Sequence, residues 1–156
     1  MFEVTTMNDA DRLVWQASLG VPGVLRVTLS ANDMLNLHAT PKRIIPAPGA
    51  GKCINVIAAW LRYKFISAPY AGDFNSLKLQ YSALNPDDPE RVTLVQVDTP
   101  TDTHSVFSSG IIADDFTAST AAIENQGVYL SRDLTELESG DGIITIGALY
   151  TIESTT

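Results

Sequence analysis

Cysteine is nearly absent: Cys53 is the only one in 156 residues. A single thiol excludes an intramolecular disulfide and a cysteine-rich zinc site, and its place in an apolar run predicts a buried, inert side chain. Histidine is almost as scarce, with His38 and His104 alone. Metal-dependent hydrolysis on a jelly roll usually draws on several histidines, so this distant alternative is poorly supported and neither a metal nor another cofactor is expected. Ten Lys and Arg face eighteen Asp and Glu, for a formal charge of −8. That balance argues against a sequence-independent grip on nucleic acid, because phosphate neutralisation needs Lys and Arg. The longest apolar stretch, Ile54–Trp60, is broken by Asn55 and followed by Arg62 and Lys64, far short of the roughly 20 residues of a membrane helix. The first twenty residues carry Glu3, Asp9 and Asp11 without a secretory apolar block, so no signal peptide is expected.

What the chain does have is the length and the 45% hydrophobic content of one compact domain. Its charge is divided unevenly. Residues 1–82 hold eight basic and five acidic side chains, whereas residues 83–156 hold Arg91 and Arg132 against thirteen acids. That asymmetry suggests head-to-tail contacts between copies or a basic partner for the acidic half, and it is equally compatible with a solvated acidic surface.

Apolar side chains recur with period two, the signature of strands with one buried face. A long strand is expected over Cys53–Ile66, with Ile57, Ala59, Leu61, Tyr63 and Phe65 on one face and Arg62 and Lys64 on the other. Further strands are expected at Val24–Leu29, Ser76–Ser82, Arg91–Val97, Ala122–Leu130 and Gly142–Ile152. In the last, Ile144, Ile146, Ala148, Tyr150 and Ile152 form one face. Asn85-Pro86-Asp87-Asp88-Pro89 and Ser139-Gly140-Asp141-Gly142 read as turns. Ser30-Ala31-Asn32-Asp33 reads as the capped start of a one- or two-turn helix, and Asp9–Ala17 as another. The stretch Asp98–Ser119 reads as a long loop or a short helix with loops. Short strands separated by turns, without alternating helices, give an all-β fold: an antiparallel β-sandwich, jelly-roll-like, with one or two short helices. Residues 1–22 are expected to be an N-terminal arm or short helix, and residues 23–156 the sandwich.

No motif carries chemistry. In Pro46-Ala47-Pro48-Gly49-Ala50-Gly51-Lys52-Cys53, Pro46 stands where a phosphate loop needs its first glycine and Cys53 where it needs Ser or Thr. Ile54 stands where the dinucleotide fingerprint needs its third glycine. The segment reads instead as a rigid proline run and a glycine turn before a core strand. Asp102-Thr103-His104-Ser105 supplies an acid, a base and a hydroxyl in sequence, but a triad is spatial and no nucleophile elbow accompanies it. His38 reads as a loop or cap residue. The acid groups Asp87/Asp88/Glu90, Asp114/Asp115 and Asp133/Glu136/Glu138/Asp141 match no calcium loop and read as solvated turns. Trp60, Tyr63, Phe65, Tyr70 and Phe74 lack the basic groove of a nucleic-acid stacking platform and read as core. Catalytic, cofactor-binding and metal residues are therefore all assigned as none.

Thr40-Pro41 and Ile44-Ile45-Pro46-Ala47-Pro48-Gly49-Ala50-Gly51-Lys52 lead into Ile54-Asn55-Val56. Pro69-Tyr70, Leu77-Lys78-Leu79-Gln80-Tyr81, Asn125-Gln126-Gly127-Val128-Tyr129-Leu130 and Gly140-Asp141-Gly142 follow, with a last strand ending near Tyr150. Over about residues 28–153 this succession resembles small bacteriophage virion structural proteins. The resemblance implies a virion component on a jelly-roll-like sandwich without a catalytic site. The expected role is capsid decoration or cement, stabilising the head shell through contacts with the major capsid protein or another virion protein and with other copies in a trimer, without nucleic acid or membrane. The alternative is a tail, fibre-base or receptor-binding module; the loops 83–90, 98–120 and 131–142 offer only Phe107 and Phe116 for sugar stacking, which favours decoration.

Overall fold

The structure, a computed structural model, describes residues 20–71, 76–82, 92–98, 106–111, 120–132 and 135–155. Among them are eight strands: β1 (Gly23–Leu29), β2 (Lys42–Ile45), β3 (Lys52–Lys64), β4 (Ser76–Tyr81), β5 (Val92–Asp98), β6 (Val106–Ile111), β7 (Val128–Arg132) and β8 (Ile143–Ser154). Two short helices, α1 (Ala31–Leu35) and α2 (Thr120–Ile123), lie between them.

The pairing is nested. β1 pairs with β8, β2 with β7, β3 with β6 and β4 with β5, all antiparallel. The chain is thus one long hairpin rolled on itself, closed laterally by β3 against β8 and β4 against β7. The result is two four-stranded sheets in the orders β1-β8-β3-β6 and β2-β7-β4-β5, the double Greek key of a jelly roll. The expected all-β sandwich is the observed fold.

Alternation explains the core. Ile144, Ile146, Ala148, Tyr150 and Ile152 of β8 all point between the sheets, opposite Leu77, Leu79 and Tyr81 of β4 and Val128 and Leu130 of β7. In β3 the parity changes. A bulge between Val56 and Ala58 lets Ile54 and Val56 reach the core before it and Ala59, Leu61 and Tyr63 after it. An extra residue in one strand of a pair is left out of the ladder, so Ile57 is 38% exposed rather than in the core where strict alternation puts it.

Three expected element assignments need correction. β6 lies inside 98–119, where a loop or helix was expected. The region 122–130 does not run as one strand: α2 occupies its start, Asn125 turns with φ at +53°, and β7 begins only at Val128. β2, four residues between Pro41 and Pro46, is a strand that the prolines obscured. The α1 cap is as expected: Ser30 accepts from the Asp33 backbone N–H at 3.2 Å, and the Asp33 carboxylate accepts from the Ser30 N–H at 3.0 Å. Lys42 Nζ, 2.7 Å away, leads in holding the Asp33 carboxyl below its ordinary pKa, with Ser30 assisting. The Asp9–Ala17 helix, the Asn85–Pro89 turn and the arm expected over residues 1–22, Gly20 to Pro22 apart, lie outside the described residues.

Candidate functional site

Most of the chemical candidates that the structure describes are engaged in holding the roll together. The Gly49 N–H donates to Asn125 Oδ1 at 2.9 Å and the Gly51 N–H to Glu124 Oε1 at 2.8 Å. The other Glu124 oxygen accepts from the Thr155 hydroxyl at 3.3 Å, and the Asn125 N–H returns to the Lys52 carbonyl at 2.8 Å. A phosphate loop needs free N–H groups aimed at an anion; here a carboxylate of the chain itself already takes one. The proline–glycine segment is a clasp at one end of the sandwich.

The opposite end is tied by acids that sequence spacing grouped together. Glu136 accepts from the His38 N–H at 3.0 Å and the Ala39 N–H at 2.7 Å. Asp141 accepts from the Ser67 hydroxyl, the Ser67 N–H at 3.0 Å and the Ala68 N–H at 2.9 Å. These bonds, that of the Ser67 hydroxyl foremost, hold the Asp141 carboxyl below its ordinary pKa. Glu136 and Asp141 of the third acid group thus act as separate staples. Among the described residues, no group of three or more His, Cys, Asp and Glu side chains is placed to hold a metal ion. His38 Nδ1 meets the Arg132 carbonyl at 3.1 Å, which assigns it a proton to donate. His104 and the acids at 87–90, 114–115 and 133 lie outside the described residues.

Aromatic rings complete that end. Tyr70 donates to the Gly142 carbonyl at 2.5 Å, and its ring stands 6.1 Å from that of Tyr63. Burial, then the neighbouring Tyr63 and Asp141, push the Tyr70 phenol well up. The turn closes only with glycine: Gly140 has φ at +134°, and a Cβ there would lie 2.4 Å from Tyr70 Cδ1. Cys53 is half-buried rather than buried. Desolvation, with Glu153 and Glu124 adding to it, raises its thiol pKa, so it is a poor nucleophile at neutral pH.

Sequence reading missed the outer face of the β1-β8-β3-β6 sheet, because only register assembles it. Val24, Leu149 and Ala58 form one row across it, beside the bulged Ile57. Arg26, Gly147 and Trp60 form the next row, and Thr28, Thr145 and Arg62 the one after. Gly147 has no side chain, so the Trp60 indole lies across β8, and the Arg26 guanidinium sits 5.2 Å from the ring centroid. A Cβ on residue 147 would come within 2.2 Å of that ring. With Arg26 over it, the indole is no open platform for stacking a sugar. Val24 is 48% exposed, and Arg26, Arg62 and Lys64 are exposed with it. On the outer side of the other sheet the centre is polar yet buried: Lys78, Gln80 and Ser131 are 8%, 0% and 0% exposed, and Ser131 donates to Gln80 Oε1 at 2.7 Å, while Tyr129 beside them is half-buried and Arg43 at the edge is exposed.

The charge asymmetry changes meaning in this topology. Nesting interleaves the two halves of the chain within both sheets, so the halves are not opposite sides of the molecule. All eight described Lys and Arg residues lie on strands, whereas the described acids lie in α1, in turns and loops, or, as Asp98 and Glu153, near strand ends. The sheets carry the positive charge and the connections the negative.

No family model matches the chain, and no curated protein does. Among solved structures, the chain resembles a protein of the cyanophage Pam1 capsid asymmetric unit at 12% identity, covering 83% of each chain, with a TM-score of 0.43. It resembles the N-terminal cellulose-binding domain of Cellulomonas fimi β-1,4-glucanase C at 11% identity, covering 84% of this chain and 89% of that one, with a TM-score of 0.31. It also resembles a chain of the Macrobrachium rosenbergii nodavirus semi-empty particle at 13% identity, covering 87% and 94%, with a TM-score of 0.28. Function does not follow from such likenesses of fold and rests on the chain's own residues.

Proposed function

We propose that this chain is a structural component of a virus particle, specifically a decoration or cement protein of a bacteriophage head that works through protein–protein contacts. One observation carries the reading: the residues shared with small phage virion proteins are those that lock the jelly roll. Gly49, Gly51 and Asn125 make the clasp. Tyr81 donates to the Ile54 carbonyl and Tyr70 to that of Gly142. Gly127 lets β7 approach the Ile45 carbonyl, where a Cβ would stand at 2.8 Å. A resemblance made of scaffold residues, with no reactive group among them, fits a protein selected for shape and surface. The roll has a double Greek-key topology found among capsid domains, and its staples tie both ends. The partner is the major capsid protein or another virion protein, and the chain acts as a trimer located on the virion.

The test is the number and location of copies in purified particles. Many copies spread over the head support decoration; a few copies confined to the tail support the tail or fibre-base role instead. Absence from purified particles would overturn both.

A further inference from the structure

We propose that the outer face of the β1-β8-β3-β6 sheet docks residues 1–19 of a second copy of this chain. The inference holds whether or not the chain sits on a virion.

The face is graded along its strands. At the end where the chain enters β1 it is apolar, with Val24, Leu149, Ala58 and the bulged Ile57; toward the other end it becomes basic, with Arg26, Arg62 and Lys64. Among the described residues its acid is Glu153, at the end away from Arg62. A complementary occupant carries apolar side chains and acids in that order. Read back from Gly20, residues 8–19 present Leu19, Trp15, Val14 and Leu13, then Asp11 and Asp9, with Arg12 the one cation; Met7, Val4, Glu3 and Phe2 lie farther out, beyond the part that the face matches. Opposite charges in matching order set the register and disfavour other partners.

The occupant comes from a neighbour. In the single chain Val24 remains 48% exposed, Ile57 38% and Val21, at the base of the segment, 56%. Pro22 disfavours helical backbone at Val21, so the chain enters β1 extended, and β1 is an edge strand of the sheet. Nineteen extended residues reach about 60 Å, several times the width of four strands spaced about 4.8 Å apart. Such a contact is heterologous: each copy gives one segment and receives another. Closed by a threefold rotation, it makes the trimer.

Sedimentation of the full-length chain tests this with two charge reversals, Arg62→Glu/Lys64→Glu on the face and Asp9→Lys/Asp11→Lys in the segment. The unaltered chain is expected to associate, and either reversal alone to weaken association at least about tenfold while leaving the thermal melt in place. Combining both reversals in one chain is expected to restore association. A chain that stays monomeric at every concentration overturns the proposal, as do reversals without effect or a combination that fails to restore. An equimolar mixture of the two singly reversed chains is expected to form mixed complexes, because the reversed segment fits the reversed face. If the mixture forms none, the segment folds onto its own chain and the second-copy assignment is wrong.

Discussion

The two outer faces of the sandwich are built from similar strands and end differently. On β4 and β7 the outward residues Lys78, Gln80 and Ser131 are buried, with Ser131 donating to Gln80, whereas on β1 and β3 the outward residues Val24, Arg26, Ile57, Arg62 and Lys64 are exposed. A sealed polar face must satisfy its hydrogen bonds within the fold, and each member becomes costly to remove. An open face of apolar and basic residues leaves its contacts to be made by something else. One side of the molecule is finished by folding and the other by assembly.

Adding the same methyl group on both sides of this divide gives the widest contrast. A Cβ at Gly142 would lie 2.1 Å from Cε2 of Tyr63, which is fully buried, and a Cβ at Gly147 would lie 2.2 Å from the Trp60 ring on the open face. Gly142→Ala is expected to cost about 3 kcal/mol in chemical denaturation, because a packed ring cannot yield. Gly147→Ala is expected to cost about 1 kcal/mol, since the indole can swing outward and loses chiefly its contact with Arg26. Equal losses would mean that the second face is as closed as the first.

Polar truncations sharpen the contrast at smaller scale. Gln80→Ala leaves the buried Ser131 hydroxyl with only the Lys78 carbonyl, 3.5 Å away, in place of its 2.7 Å acceptor and is expected to cost about 2 kcal/mol. Thr28→Ala removes a 3.2 Å bond to Thr145 on the open face, and its cost is expected to stay within about 0.5 kcal/mol. Urea titrations of both variants measure the difference.

The smallest expected effect concerns the staples, which belong to neither face. The Asp141 carboxyl lies below its ordinary value of 3.8 because the folded chain donates to it. Its contribution is therefore complete above that value and is lost as the pH falls below it, where the unfolded chain binds the proton more readily. Asp141→Asn is expected to flatten this part of the acid-unfolding curve, and an unchanged curve would remove Asp141 from the set of staples.

The fold was legible where alternation ran uninterrupted. β8 announced its buried face from Ile144 to Ile152, and the Ser30 cap announced α1. Alternation failed where a second strand sets the outcome. The bulge at Val56/Ala58 exists only against β8, so alternation alone places Ile57 in the core. Val106–Ile111, with two serines and a glycine in six residues, lacked the signal of a strand and is held as one by β3. The candidate face was hidden for the same reason: Arg26, Trp60 and Gly147 meet only through register across β8. The charge asymmetry was visible, but its meaning depended on a nested topology that turns sequence halves into interleaved strands.

Reaction of Lys64 and Lys78 with an amine-modifying reagent, followed by peptide mass spectrometry over a range of chain concentrations, tests the contrast between the faces most directly. Lys78, 8% exposed, is expected to resist modification at every concentration. Lys64, exposed in the single chain, is expected to react readily when dilute and to become protected as copies associate. Modification of Lys78 as fast as Lys64, or reactivity of Lys64 that does not change with concentration, would contradict the division into one face completed by folding and one completed by a second copy.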